Sequence, residues 1–120
     1  MASTDNCCTL VPYFKVNEGQ MDAFRALCEA FVAKTRSEPK CVHYAFSFNG
    51  DAVHCREGYD DADGVLTHLG NVGAELQEAL KIAQITSLEV HGPAAELDKL
   101  RAPLANLNPK WFTIEYGFRR

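Results

Sequence analysis

Residues 41–69, CVHYAFSFNGDAVHCREGYDDADGVLTHL, hold the side chain best suited to proton chemistry, His68. An unperturbed imidazole titrates near pH 6.5, so it can take and return a proton at neutral pH. Val65, Leu69, Val72, Leu76 and Leu80 recur at intervals of three, four and seven, the spacing of a helix with one buried stripe. At about 100° per residue, His68 lies roughly 60° from the centre of that stripe. At such a border a side chain can look into a cavity between helix and sheet, or keep its polar edge in water. Asn71 stands near enough to hold the imidazole, and Glu75 continues the same edge.

The other polar groups of interest are more scattered. Tyr59 ends an expected strand just before the acidic turn Asp60-Asp61, close to where the His68 helix begins. Tyr13, Tyr44 and Trp111 also carry a polar tip on a large apolar body, which suits packing with the tip hydrogen-bonded at a rim. Arg56, flanked in its strand by Cys55 and Glu57, must reach water, a carboxylate or an anionic ligand; Glu115 or a neighbour of Glu57 would satisfy it. His43, His54 and His91 fall on expected strands without ligand-spaced partners, so no metal site is expected. The five cysteines form an odd set without a C-x-x-C pair, which argues for reduced apolar fillers rather than zinc or disulfides. No nucleophile elbow, phosphate loop, dinucleotide fingerprint or metalloprotease helix is present.

The elements that position these residues follow from periodicity. Residues 7–16 (CCTLVPYFKV) are apolar and β-rich, with Pro12 marking an edge or bulge. From residue 20 to 35, Met21, Phe24, Leu27, Cys28, Phe31 and Val32 recur at helical spacing, and Pro39 limits that helix. Two alternating strands flank Asn49-Gly50-Asp51, a strong hairpin signal. With the turn centred on Asn49-Gly50, Cys55 faces Tyr44. Asp60, Asp61 and Asp63 then supply capping oxygens to the next helix. A break is expected in it near Gly70-Asn71, with Asn71 capping the second piece. Residues 84–91 alternate as a fourth strand. Gly92-Pro93 opens a third helix lined by Leu97, Leu100 and Leu104. Residues 110–118 read as a fifth strand with Phe112, Ile114, Tyr116 and Phe118 on one face.

That order is α+β: a ferredoxin-like βαββαβ antiparallel sheet with an added C-terminal helix and strand. Both helices of the plan cover one face of the sheet, yet Val11 and Tyr13 alternate with Leu10 and Phe14, so both faces of the first strand are apolar. A second subunit is the expected cover for the bare face. With 120 residues, 47% of them hydrophobic, the chain suits one domain with a real core. A net charge of −4 without a basic stripe argues against nucleic-acid binding. No apolar run is long enough to span a membrane, and the N-terminal residues have no signal-peptide pattern, so a cytoplasmic location is expected.

The junction EGYDDADGVLTHL resembles the antibiotic biosynthesis monooxygenase (ABM) domain family, in which a strand ends in Glu-x-aromatic, an acidic turn follows, and the next helix carries a histidine. SEPKCVHYAFSF is similar to the family's lead-in to strand two, with Lys40 where glycine is common, and VNEGQMDAF fits its usual start. The resemblance spans about residues 10–90. It implies one ABM-like domain over 1–120, with a core of about 7–92 and an extension over 93–120. It also implies a dimeric α+β barrel, a homodimer whose sheets pack face to face. Some members oxidise phenols or quinols with O₂ and no cofactor, and others degrade haem. By this resemblance His68 matches the helix histidine, the expected proton acceptor, and Tyr59 the strand-end aromatic that holds the substrate; Asn71, Arg56 and Trp111 are further candidate substrate contacts. The expected function is cofactor-independent monooxygenation of a small aromatic quinol or polyketide-like substrate. The alternatives are a non-catalytic small-molecule-binding dimer, or a haem protein with His68 as axial ligand. Haem degraders use an Asn on strand one and a Trp at the end of strand three. Residues 7–16 contain no Asn, and Tyr59 stands in the place of the Trp.

Overall fold

The computed structural model describes residues 2–120. Its elements are β1 (Cys8–Val16), α1 (Met21–Thr35), β2 (Cys41–Asn49), β3 (Ala52–Tyr59), α2 (Ala62–Asn71), α3 (Gly73–Ile82), β4 (Ala83–Gly92), α4 (Ala94–Leu100), a short 3₁₀ turn (Ala105–Leu107) and β5 (Lys110–Thr113). The five strands lie in the order β2-β3-β1-β4-β5. The first four pair antiparallel, as the ferredoxin-like plan requires, and β5 joins the β4 edge in parallel.

β1 is central, so Pro12 does not mark an edge. The chain instead accommodates it beside a register shift against β4 between Tyr13 and Phe14. On one face of β1, Cys8, Leu10, Phe14 and Val16 are buried and join two core clusters. Phe24, Cys28 and Phe31 of α1 close one cluster; Val65 of α2 with Leu97, Leu100 and Leu104 closes the other. The opposite face carries Thr9, Val11, Tyr13 and Lys15, a more mixed surface than the sequence suggests, and Tyr13 is 42% exposed.

The hairpin turn is displaced from its expected place. Asn49 pairs with Ala52, so Gly50 and Asp51 form the two-residue loop. Gly50 takes φ +60°, which suits glycine at the first central position of a type II′ turn. The register moves accordingly: Cys55 opposes Phe46, not Tyr44, and Tyr44 opposes Glu57.

At the start of α2, Asp61 accepts a hydrogen bond from the Gly64 N–H at 2.9 Å and is held by Lys40 at 2.8 Å. Gly64 is required sterically, since a Cβ there would come within 2.9 Å of Lys40 Cβ and 3.2 Å of Tyr59 Cβ. The helix therefore starts hard against the end of β3. It breaks between α2 and α3 as the glycines suggest, but Val72 occupies the junction, and Asn71 does not cap α3. The terminal strand is shorter than the pattern implies. It stops at Thr113, leaving Phe112 half-exposed and Tyr116 and Phe118 largely exposed. Arg119 holds the tail by bridging Asp5 at 2.9 Å and Asp60 at 2.8 Å.

Candidate active site

The layer between helices and sheet contains a cavity with about 540 Å³ of atom-free space, part of it continuous with solvent. About 50 Å³ of it admits a water-sized sphere, so only a slender group enters without side-chain movement. Its walls are mostly Leu, Phe, Ile and Val, among them Leu10, Phe14, Phe46, Leu88 and Leu104. Polar groups enter at one end, where Tyr44, Cys55, Glu57 and His68 meet.

Glu57 is the unexpected member. β3 alternates, and its inward residues are Val53, Cys55, Glu57 and Tyr59, all buried. A carboxyl at an inward position lies in low dielectric. Burial pushes its pKa up to about 7, against the pull of hydrogen bonds from Tyr59 and Cys55, while the charge of Glu38 adds to the rise. The Tyr59 hydroxyl donates to Glu57 Oε1 at 2.7 Å.

His68 lies on the buried side of α2, and its ring packs against Tyr44 and Tyr59 with centroids 5.1 and 5.2 Å away. Nδ1 meets the Glu38 carboxylate at 3.0 and 3.1 Å. Nε2 faces Glu57 Oε1 at 3.4 Å. Burial lowers the pKa of His68, opposed by the hydrogen bond and charge of Glu38. With the Glu38 carboxylate accepting, the proton of the neutral ring belongs on Nδ1, and the Nε2 lone pair points at Glu57. Asn71 Nδ2 donates to Glu38 Oε2 at 2.8 Å and to the Lys34 carbonyl at 3.0 Å. The result is a row, Asn71–Glu38–His68–Glu57–Tyr59, assembled from α1's end, β3 and α2.

The residues expected from sequence divide clearly. His68 lines the cavity. Tyr59 is fully buried and spends its hydroxyl on Glu57, so it stands behind the cavity rather than at a mouth. Asn71 holds Glu38, not the imidazole directly. Arg56 is exposed on β3, pointing away from the inward residues, and makes no ion pair among the described residues. Trp111 packs at the edge of the α4 cluster, with the Arg101 guanidinium 4.9 Å from its ring centre. Glu75 pairs with Lys34 at 2.9 Å. Two members were missed. Glu57 was legible as a charged residue in the apolar register of a strand. Glu38, in the turn SEPK, carries no local signal.

No three His, Cys, Asp or Glu side chains are placed to hold a metal among the described residues. A haem does not fit at His68, because both ring nitrogens face carboxylates within the packed layer.

No family model and no curated protein matches the chain. Solved structures do. A protein of Nitrosomonas europaea provisionally named an antibiotic biosynthesis monooxygenase aligns with a TM-score of 0.69 at 10% identity, covering 78% of this chain and 96% of its own. One so named from Chloroflexus aurantiacus J-10-fl aligns at 0.58 and 19% identity, covering 73% and 93%. These two share the fold. The chain has the fold of the antibiotic biosynthesis monooxygenase family. Its relative MupZ, from Pseudomonas fluorescens, is 47% identical with a TM-score of 0.93, over 100% of this chain and 94% of that one.

Proposed function

We propose that this chain is an acid–base enzyme acting on a small, largely apolar substrate, with Glu57 as the group that exchanges a proton with it. The carrying observation is a buried carboxyl, Glu57, among the few polar side chains that line an apolar cavity, where burial pushes its pKa up to about 7. At neutral pH such a carboxyl is about half ionised, which suits both taking and giving a proton. His68 lies behind it as a neutral imidazole, and apolar walls exclude water from the exchange. A proton transfer of this kind requires no bound cofactor.

By resemblance to the antibiotic biosynthesis monooxygenases, the reaction this supports is oxygenation of an electron-rich aromatic such as a quinol. The base removes a phenolic proton, the substrate anion supplies the electrons to O₂, one oxygen atom enters the product and the other leaves as water. A second reading is supported by the burial of Glu57, which raises its pKa and lets the carboxyl serve as an acid as well as a base. Such a site suits a proton-transfer reaction that consumes no O₂, such as an isomerisation, elimination or ring opening. Assembly through the open sheet face as a homodimer is part of the proposal, since Tyr13 and Phe112 on that face are more than two-fifths exposed.

The deciding experiment incubates the protein with a panel of quinols and other small apolar substrates in air and under argon, with an oxygen electrode and product mass spectrometry. O₂ uptake with a product gaining oxygen supports monooxygenation. Equal conversion under argon selects the second reading. No turnover of any substrate that binds, in air or argon, removes the enzyme and leaves a small-molecule-binding protein. Sedimentation tests assembly: a mass of 13.3 kDa at micromolar concentration excludes the dimer.

A further inference from the structure

Proton exchange between Glu57 and a substrate needs no second carboxylate, yet Glu38 is buried on the far side of His68. Glu57 and His68 face the cavity, whereas Glu38 lines a separate surface cleft with Thr35, Arg36, Cys41 and His43, between the end of α1 and β2. Tyr44 borders both spaces, and the imidazole links the groups on either side of it, with Nε2 towards Glu57 in the cavity and Nδ1 on Glu38 in the cleft.

We propose that Glu57 exchanges its proton with solvent through His68 and Glu38, behind the cavity, rather than through the cavity itself. The inference rests on the acid–base reading of Glu57. In the outward step the Glu57 O–H bond breaks and a bond forms to His68 Nε2. The Nδ1–H bond then breaks, its proton joins Glu38, and Glu38 releases it to water in the cleft. His68 is left with its proton on Nε2. The inward step is the reverse and restores the Nδ1–H form. One outward and one inward transfer therefore reset the relay in each cycle of base and acid action, and the proton returned to the product comes from solvent.

The surrounding groups leave this route to the three residues. Tyr44, Tyr59 and Cys55 all face Glu57 or His68, and burial raises the pKa of each, so they keep their protons. Cys41, beside Glu38 and Glu57, is also raised, to about 11. Asn71 anchors the Glu38 carboxylate towards the ring without titrating. The His68–Glu57 gap of 3.4 Å is longer than a good hydrogen bond, as is common before a site tightens on substrate. Glu38 is a positioning and relay residue, since it touches no part of the cavity.

The test uses protons as the probe. A light-triggered acid lowers the pH, and time-resolved infrared follows the Glu57 carboxyl band, assigned by its loss in Glu57→Gln. Glu38→Gln should slow protonation of Glu57 by roughly tenfold or more while the band still appears at equilibrium. An unchanged rate overturns the relay. If that variant does not fold, the wild type decides with the cavity filled by xenon, which enters dry apolar cavities. An unaltered rate is expected, and a rate that collapses under xenon overturns the relay, because the proton then enters through the cavity. A wild-type band that never changes between about pH 5 and about pH 9 overturns the acid–base reading as well, so the two failures are distinguishable.

Discussion

The two faces of this sheet hold similar side chains in opposite physical states. On the helix-covered face, Glu57 and His68 sit in an apolar layer and are almost without water. On the open face, His54 stacks on Tyr13 and its Nδ1 meets the Pro12 carbonyl at 2.8 Å, while His91 meets Glu89 at 2.9 Å beside Phe112. Both faces therefore pair imidazole with carboxylate or carbonyl. Only the covered face removes water from the pair, and desolvation is the first cause of the shift in both Glu57 and His68. Histidine with a nearby acid is thus a weak indicator of a site; histidine with an acid in a dry layer is a strong one.

Substitution of the two acids is the strongest way to break this contrast. Glu57→Gln keeps shape and an acceptor for Tyr59 but cannot carry the proton. It should lower turnover of any substrate identified above by roughly 10³-fold, whereas Glu89→Gln on the open face should change it less than about twofold. Equal effects would mean that burial does not select the working carboxyl. Next in size, His68→Ala should reduce turnover by about 10²-fold and displace its pH profile, because Glu57 loses the group behind it. A steady-state pH–rate series measures both, and an unchanged profile removes His68 from the proton path.

Stability offers a third comparison. The folded pKa of Glu57 is above its ordinary value of 4.5, so the folded state retains a proton that the unfolded chain loses. The stability from this group is fully present below about pH 4.5 and is lost as pH rises through about 7. His68, whose folded pKa is lowered, acts oppositely and loses stability as pH falls below 6.5. Glu57→Gln removes the first dependence, so denaturation at about pH 8 should show it more stable than wild type by on the order of 3 kcal/mol, with the gap closing near pH 4. A gap that does not vary with pH would show that the carboxyl is not desolvated.

The smallest effect compares two glycines of α2. Gly64→Ala must push against Lys40 and Tyr59 and should cost about 1–3 kcal/mol. Gly70→Ala meets nothing within 4 Å and should gain up to about 1 kcal/mol from helix propensity. Urea denaturation separates them, and equal changes would deny the close approach of α2 to β3 that aims His68.

Local pattern determined much of this protein. Alternation placed β1 to β4, the stripe from Val65 to Leu80 placed the α2–α3 pair and its break, and the acidic turn placed the Asp61 cap. These depend on contacts a few residues apart, which spacing records directly. Tyr116 and Phe118 fall outside β5 because alternation reports a capacity for a strand, while a strand also needs a partner edge, and β4 offers one only as far as Thr113. The turn at Gly50-Asp51 shows the same limit on a finer scale, since a shift of one residue in the loop brought Tyr44 opposite Glu57. The site itself belongs to tertiary structure. Glu38 and His68 are thirty residues apart and meet because α1 ends beside α2. Glu57 becomes a proton-exchanging group only when the helices dry the sheet face it lies on, because desolvation is a property of the assembled layer and of no segment within it.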